Sequence, residues 1–220
     1  MRYKLPNLIS NYIHFIDLLI RRKAHTVIHV DDIRVSADDD LAKTIIIYNS
    51  PLVYSQLNLK GDNSIVNPKC INIAVIGYLM ESRGLVSIYR YMLDNPEINF
   101  IVAGSIFSNI YIQKIVALPN CTVIGQVSQN VLFDRIKGVD AIFSLYDPSI
   151  KINKLAASNK VYDAMCLGAL VIINDGLAIE SRLVDYGIGV AVPYMYDRDA
   201  WKVIADIVND TDLMKGISDI

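Results

Sequence analysis

The run INIAVIGY, Ile71 to Tyr78, is almost wholly apolar and rich in β-branched side chains. A short run of this kind, closed by turn residues, reads as a strand buried on both faces. The chain beyond Tyr78 repeats the theme. Gly84 to Asn95 places Leu85, Ile88, Tyr89 and Met92 at helical spacing. Asn99 to Ala103 (NFIVA) is a second strand stopped by Gly104, and Ser108 is set to N-cap a helix near Asn109 to Leu118. Cys121 to Ile124, Ala141 to Leu145, Leu170 to Ile173 and Gly189 to Val192 are further strands. Helices over Val131 to Lys137, Asn159 to Leu167 and Ile179 to Tyr186 separate them, and a last helix starts near Asp199 with Trp201, Ile204, Ala205 and Val208 inward. Alternation of nearly all-apolar strands with amphipathic helices predicts an α/β fold, a doubly wound parallel sheet covered on both sides. Ligands of such sheets bind outside the carboxyl ends of the strands, where Gly77, Gly104 and Gly125 are expected to let backbone approach them.

The front of the chain is different. Leu8 to Ile20 reads as a helix with apolar residues on a wide arc, followed by the basic Arg21-Arg22-Lys23. Two short strands, Thr26 to Val30 and Thr44 to Tyr48, come next. This is too little structure to bury its own helix, so residues 1–50 read as an αβ remnant of another domain. Residues 51–70, with Pro51, Gly61 and Pro68 and little periodicity, read as a linker, leaving 71–220 as the main domain.

Composition narrows the function. The 220 residues are 53% apolar and 20% charged with a net charge of -2, which excludes a disordered chain and a broad grip on nucleic acid. Mean hydropathy is +0.33, yet the most apolar early stretch is too short to span a bilayer and holds Ser10, Asn11, His14 and Asp17. Its polar interruptions and basic end also exclude a signal peptide, so a cytoplasmic setting is expected, with the front helix a docking surface for a membrane, a partner or a second copy. Cys70, Cys121 and Cys166 are few and far apart, fitting small buried residues in a reducing compartment.

The most informative chemistry lies in Ser158 to Gly168, SNKVYDAMCLG. Ser158 is a good N-cap, so Ser158 and Asn159 lead into a helix N-terminus whose free N–H groups suit a phosphate. Lys160 in the first turn opposes the helix dipole unless an anion compensates it. Asp163 follows on the same face, where a carboxylate can accept from a ribose diol; a plain surface pair with Lys160 is the alternative. Arg83, between a strand end and a helix start, can reach a diphosphate with forked donors, or is a solvated loop residue. Two cations converging on one sheet edge of an acidic protein favour the diphosphate.

These residues fall in a familiar series. Gly77, Arg83-Gly84, FIVAGS (Phe100 to Ser105), VIGQV (Val123 to Val127), DAIFSLYDPS (Asp140 to Ser149), NKVYDAMCLGALVI (Asn159 to Ile172) and GIGVAV (Gly187 to Val192) resemble the nucleotide-sugar-binding C-terminal domain of GT-B glycosyltransferases, most closely family 4. The resemblance covers roughly residues 70 to 210, and HTVIHVDDIRV with TIIIYNSP looks like the end of the N-terminal, acceptor-binding domain. It implies a Rossmann-like half of a GT-B fold and retaining, metal-independent sugar transfer, with the nucleotide-sugar as substrate and no cofactor. It places the donor diphosphate on Arg83 and Lys160, the ribose on Asp163 in place of the usual glutamate, and the nucleobase along Gly125, Gln126, Val127 and Ser128. Leu155 stands where the family often has a glutamate near the sugar, and Glu180 matches another frequent glutamate or is a solvent-facing helix residue. The acceptor would be a glycan or lipid-linked sugar, as in polysaccharide biosynthesis. The family's final helix is not expected before Ile220, so the chain looks like a fragment that binds donor without turning it over.

Competing signals are weaker. Asp31-Asp32 and the run Asp38-Asp39-Asp40 offer carboxylates for a metal, but an interdomain crossing and a solvated loop explain them. His25 and His29 flank a β-branched run and are expected to be partly buried, and His14 to lie on a helix surface. The catalytic groups are not legible. A nucleotide-sugar epimerase, which an acid pair in the cleft would support, and a non-catalytic nucleotide-binding or interaction module are the rival readings.

Overall fold

A computed structural model of the chain describes residues 7–51, 64–106 and 110–218. It divides into two compact units, residues 1–49 and 50–220.

The smaller unit begins with helix α1 (Asn7–Lys23), continues into strands β1 (Val27–His29) and β2 (Thr44–Ile46), and pairs those strands in parallel, Val27 opposite Thr44. Its apolar helix residues remain open to solvent, Leu8 at 84% and Tyr12 at 66% exposure. The buried residues among 8–49 are instead polar: His29, Asp31 and Asp39. Asp39 corrects the expectation of a solvated acidic loop. It accepts from Arg21 Nη1 at 2.8 Å and from the Ser36 N–H at 2.8 Å, and lies 3.1 Å from His29 Nε2. The Ser36 backbone bond and the Arg21 guanidinium hold its carboxyl down to about 2. Asp31 and Asp40 each cap a short 3-10 turn, accepting from Ile33 and Ala42 N–H. His14 is exposed, and so is His25, against the expected partial burial.

The larger unit is a six-stranded, all-parallel sheet. In chain order its elements are β3 (Asn72–Leu79), α2 (Leu85–Asp94), β4 (Asn99–Ile106), α3 (Ile110–Val116), β5 (Cys121–Gly125), α4 (Gln129–Ile136), β6 (Ala141–Ser144), α5 (Asn159–Leu167), β7 (Leu170–Asn174), α6 (Glu180–Asp185), β8 (Gly189–Val192), α7 (Arg198–Val208) and α8 (Thr211–Ser218). The strands lie in the order β5-β4-β3-β6-β7-β8. Alternate strand residues fill opposite faces. Ile73, Val75, Phe100, Val102, Phe143 and Ile172 join one core with Tyr91 of α2 and Trp201 of α7, whose rings tilt against each other at 5.4 Å. The other face packs α5 against β6 and β7, and α6 against β7 and β8. The chain leaves β3 in one direction to build β4 and β5, then returns to add β6 on its other side. That reversal opens a crevice beyond the carboxyl ends of β3 and β6.

Three expectations are corrected. β3 and β4 do not stop at Gly77 and Gly104 but run two residues further, with the two glycines paired in register. The backbones meet there so closely that a Cβ on Gly104, whose φ is +137°, would overlap the Gly77 carbonyl oxygen. Residues 64–70 are tied to the larger unit and are no free linker: Ile65 N–H donates to Arg135 O at 2.9 Å, and Asn72 Nδ2 donates to Asn67 O and Cys70 O. Finally, α8 follows α7, with Asp210 accepting from the N–H groups of Asp212 and Leu213. Ser108 and the linker residues 52–63 lie outside the described residues.

Candidate functional site

The crevice at the β3/β6 reversal is a cleft of about 480 Å³, large enough for a small organic ligand. Its floor is Ile76, Gly77 and Tyr78 of β3 with Ala103, Gly104 and Ser105 of β4; α5 closes one side and the segment after β5 the other.

Helix α5 begins as its sequence predicts. The Ser158 hydroxyl oxygen accepts from the Lys160 N–H at 3.3 Å and from Ser144 Oγ at 2.9 Å, so this side chain is occupied in building the helix start. Asn159 is exposed at the cleft wall. Lys160 reaches across the floor, where a Cβ on Gly77 would lie 3.5 Å from its Cε. Its ammonium sits 5.7 Å from the Tyr146 ring centroid, and the Arg83 guanidinium carbon stands 4.0 Å from the same centroid. The two cations predicted at this edge therefore share one aromatic residue in one cleft. Burial pushes the Lys160 pKa down, Tyr146 and Asp163 oppose that, and Arg83 adds to it. Arg83 Nη1 is buried and has no hydrogen-bond partner among the described residues. A buried donor without an acceptor is costly and asks for one from outside.

Asp163 is buried at 8% exposure and accepts from Gln129 Nε2 at 3.1 Å. Burial raises its carboxyl to about 6, against the lowering pull of Gln129 and Lys160. Gln126 and Val127 line the cleft; Gly125 and Ser128 flank them without lining it, Ser128 occupying the N-cap of α4. Glu180 accepts from the Gly176 N–H at 2.7 Å, which holds a turn in place of facing solvent freely. Leu155 is 46% exposed. The cysteines are half-buried free thiols, a looser setting than the core positions expected. Among the described residues no cluster of three His, Cys, Asp or Glu side chains could hold a metal ion, and no helix is long and apolar enough to cross a membrane.

No family model and no curated protein sequence matches the chain. Solved structures do. A glycosyltransferase from Rickettsia africae superposes with a TM-score of 0.65 at 17% identity, over 99% of this chain and 62% of its own. Anabaena HepE, solved with UDP-glucose, gives 0.62 at 16% identity over 95% and 60%. A UDP-GlcNAc 2-epimerase from Neisseria meningitidis, bound to UDP-GlcNAc, gives 0.54 at 12% identity over 80% and 50%. The larger unit has the Rossmann-like fold of a GT-B half. The chain spans about three fifths of the length of the first two structures.

Two residues of this cleft escaped the reading of the sequence. Tyr146, two residues after β6, carries no sign in the sequence that two cations converge on it. Gln129, in the first turn of α4, is uncharged, and only the fold brings it to Asp163.

Proposed function

We propose that the chain is the donor-binding part of a glycosyltransferase, moving a sugar from a nucleotide-sugar to an acceptor. The observation that carries this reading is the pairing of Arg83 and Lys160 over Tyr146, with Arg83 Nη1 unsatisfied, at the strand ends where α/β sheets bind ligands. HepE, of the same fold, holds UDP-glucose, and a ligand of that class suits this cleft. The diphosphate would lie between the guanidinium, the ammonium and the first turn of α5, with Asn159 beside it. The ribose would face Asp163 and Gln129, and the base Gln126 and Val127. Gly77 and Gly104 keep the floor low enough for the ligand to approach backbone.

When the bond between the sugar and the diphosphate breaks, negative charge develops on the leaving phosphate oxygen. Preorganised positive groups stabilise that charge more than they stabilise the bound donor, which is how they accelerate transfer. Arg83, Lys160 and the helix N-terminus supply that potential from protein groups, so the reading is of metal-independent transfer. Retention of configuration, family 4 membership, a glycan or lipid-linked acceptor and a cytoplasmic setting belong to the same proposal through the sequence resemblance. An epimerase is the less favoured reading, because Asp163 is the sole carboxylate among the described residues lining the cleft.

Calorimetric titration with uridine and guanosine diphosphate sugars tests the reading. One donor is expected to bind, and Lys160→Gln or Arg83→Gln to weaken it by about tenfold to a hundredfold, the worth of a charge-assisted hydrogen bond. Binding unaffected by both substitutions would reject this site.

A further inference from the structure

Arg83 and Lys160 are like charges drawn into one partly buried cleft, where repulsion between them is stronger than in water. Something must hold them together before an anion arrives. The residue that both cations face is Tyr146, buried at 9% exposure. An aromatic face attracts a cation within about 6 Å of its centroid, and both distances, 4.0 and 5.7 Å, fall inside that limit.

We propose that Tyr146 is the positioning residue of the anion site: its ring holds the Arg83 guanidinium and the Lys160 ammonium side by side, so that a pyrophosphate meets them already arranged. The inference rests on the donor-binding reading and names a part that the charged residues alone do not reveal.

The surroundings are built for this task. The main chain that carries the ring is fixed from behind, because the Tyr146 N–H donates to Asn174 Oδ1 at 2.7 Å and Asn174 is fully buried in the neighbouring strand β7. The turn carrying Arg83 is fixed from the front. Asp147 N–H donates to Ser82 O at 3.1 Å, and Tyr194 Oη donates to Glu81 O at 2.8 Å. Gly84, at φ +74°, lets this turn close onto the strand end; a Cβ there would lie 2.7 Å from Leu145 Cβ. The turn and the backbone that carries the ring are thus locked to each other through residues adjacent to Arg83 and Tyr146 in sequence. What remains unsatisfied is Arg83 Nη1, a donor awaiting an acceptor. Preorganisation of this kind lowers the cost of binding, because the side chains need not be ordered when the ligand arrives.

The test uses the full chain and inorganic pyrophosphate as the probe, by calorimetry at fixed ionic strength. Tyr146→Phe keeps the ring and is expected to bind within about twofold of the parent; Tyr146→Leu loses it and is expected to bind about tenfold more weakly. The pH profile adds a readout that simple loosening would not move. With the ring gone, the alkaline limb set by Lys160 shifts to lower pH; Tyr146→Phe, which keeps the ring and loses only the phenol's charge, shifts it less. If Tyr146→Leu does not fold, an upfield ring-current shift of the Arg83 δ-protons in the parent chain supports the platform, and its absence overturns it. Equal pyrophosphate affinity in the parent and Tyr146→Leu, or equal losses in Phe and Leu variants, overturns the platform and leaves the donor reading standing. A parent chain that binds neither pyrophosphate nor any nucleotide-sugar removes the donor reading and this inference with it.

Discussion

Asp163 is ionised against its surroundings. Burial disfavours the charged carboxylate, and the Gln129 amide and the Lys160 ammonium only partly offset that, so it titrates at about 6. Unfolded, the same group titrates near the ordinary aspartate value. Well below pH 4 it is protonated in both states and contributes nothing to the difference. Between the two values the folded state keeps the proton and the unfolded state releases it, so stability falls as pH rises, with the full cost present above pH 6. Asp163→Asn is therefore expected to match the parent at about pH 3 and to be more stable by about 3 kcal/mol at pH 7, read from urea unfolding at several pH values. A difference independent of pH would contradict this. At this scale the sequence announced the charged groups and not their companions. Lys160 and Asp163 were legible because a Ser158 cap fixes where a helix begins and hence which side chains share a face. Tyr146 was not, since an aromatic residue after an apolar strand reads equally as core. Its meaning depends on Arg83, 63 positions earlier, arriving over its ring.

Elements were easier to read than their ends. Runs such as INIAVIGY and ALVIIN commit to buried strands because nearly every residue is apolar and many are branched, and no solvent-facing alternative accommodates them. Their lengths depend on pairing, which sequence does not display. Gly77 and Gly104 look like stops when each strand is read alone; side by side, each permits the other, and the strands continue. Gly104→Ala is expected to destabilise the larger unit by roughly 3 kcal/mol, combining a strained positive φ with overlap against the Gly77 carbonyl. Loss of pyrophosphate binding should accompany it, because β3 and β4 form the cleft floor. Gly138→Ala is the comparison: it also has a positive φ, +82°, but a Cβ there meets nothing within 4 Å. Chemical denaturation showing equal losses for both would remove the close-approach argument. Helix α8 was missed for another reason: it is short and contains Gly216, and its start is marked only by the Asp210 cap.

Taken unit by unit, the cleft belongs to one of the two. Every residue lining the cleft, from Ile76 to Asp163, belongs to the unit of residues 50–220. The smaller unit keeps polar groups inside and leaves Leu8, Tyr12, Phe15 and Ile20 open, the reverse of how a self-sufficient domain distributes its residues. Binding of pyrophosphate should then be a property of the larger unit alone. It has a two-sided core, a complete six-stranded sheet and its own capped helices, which is enough to fold cooperatively. A chain of residues 50–220 is expected to unfold in one transition and to bind pyrophosphate within about twofold of the full chain, as additivity between independent regions requires. Calorimetry on the two chains side by side measures this. A shortened chain that folds but binds pyrophosphate tenfold more weakly would mean that residues 1–49 help to form the anion site, and the assignment of the cleft to one unit would have to be given up.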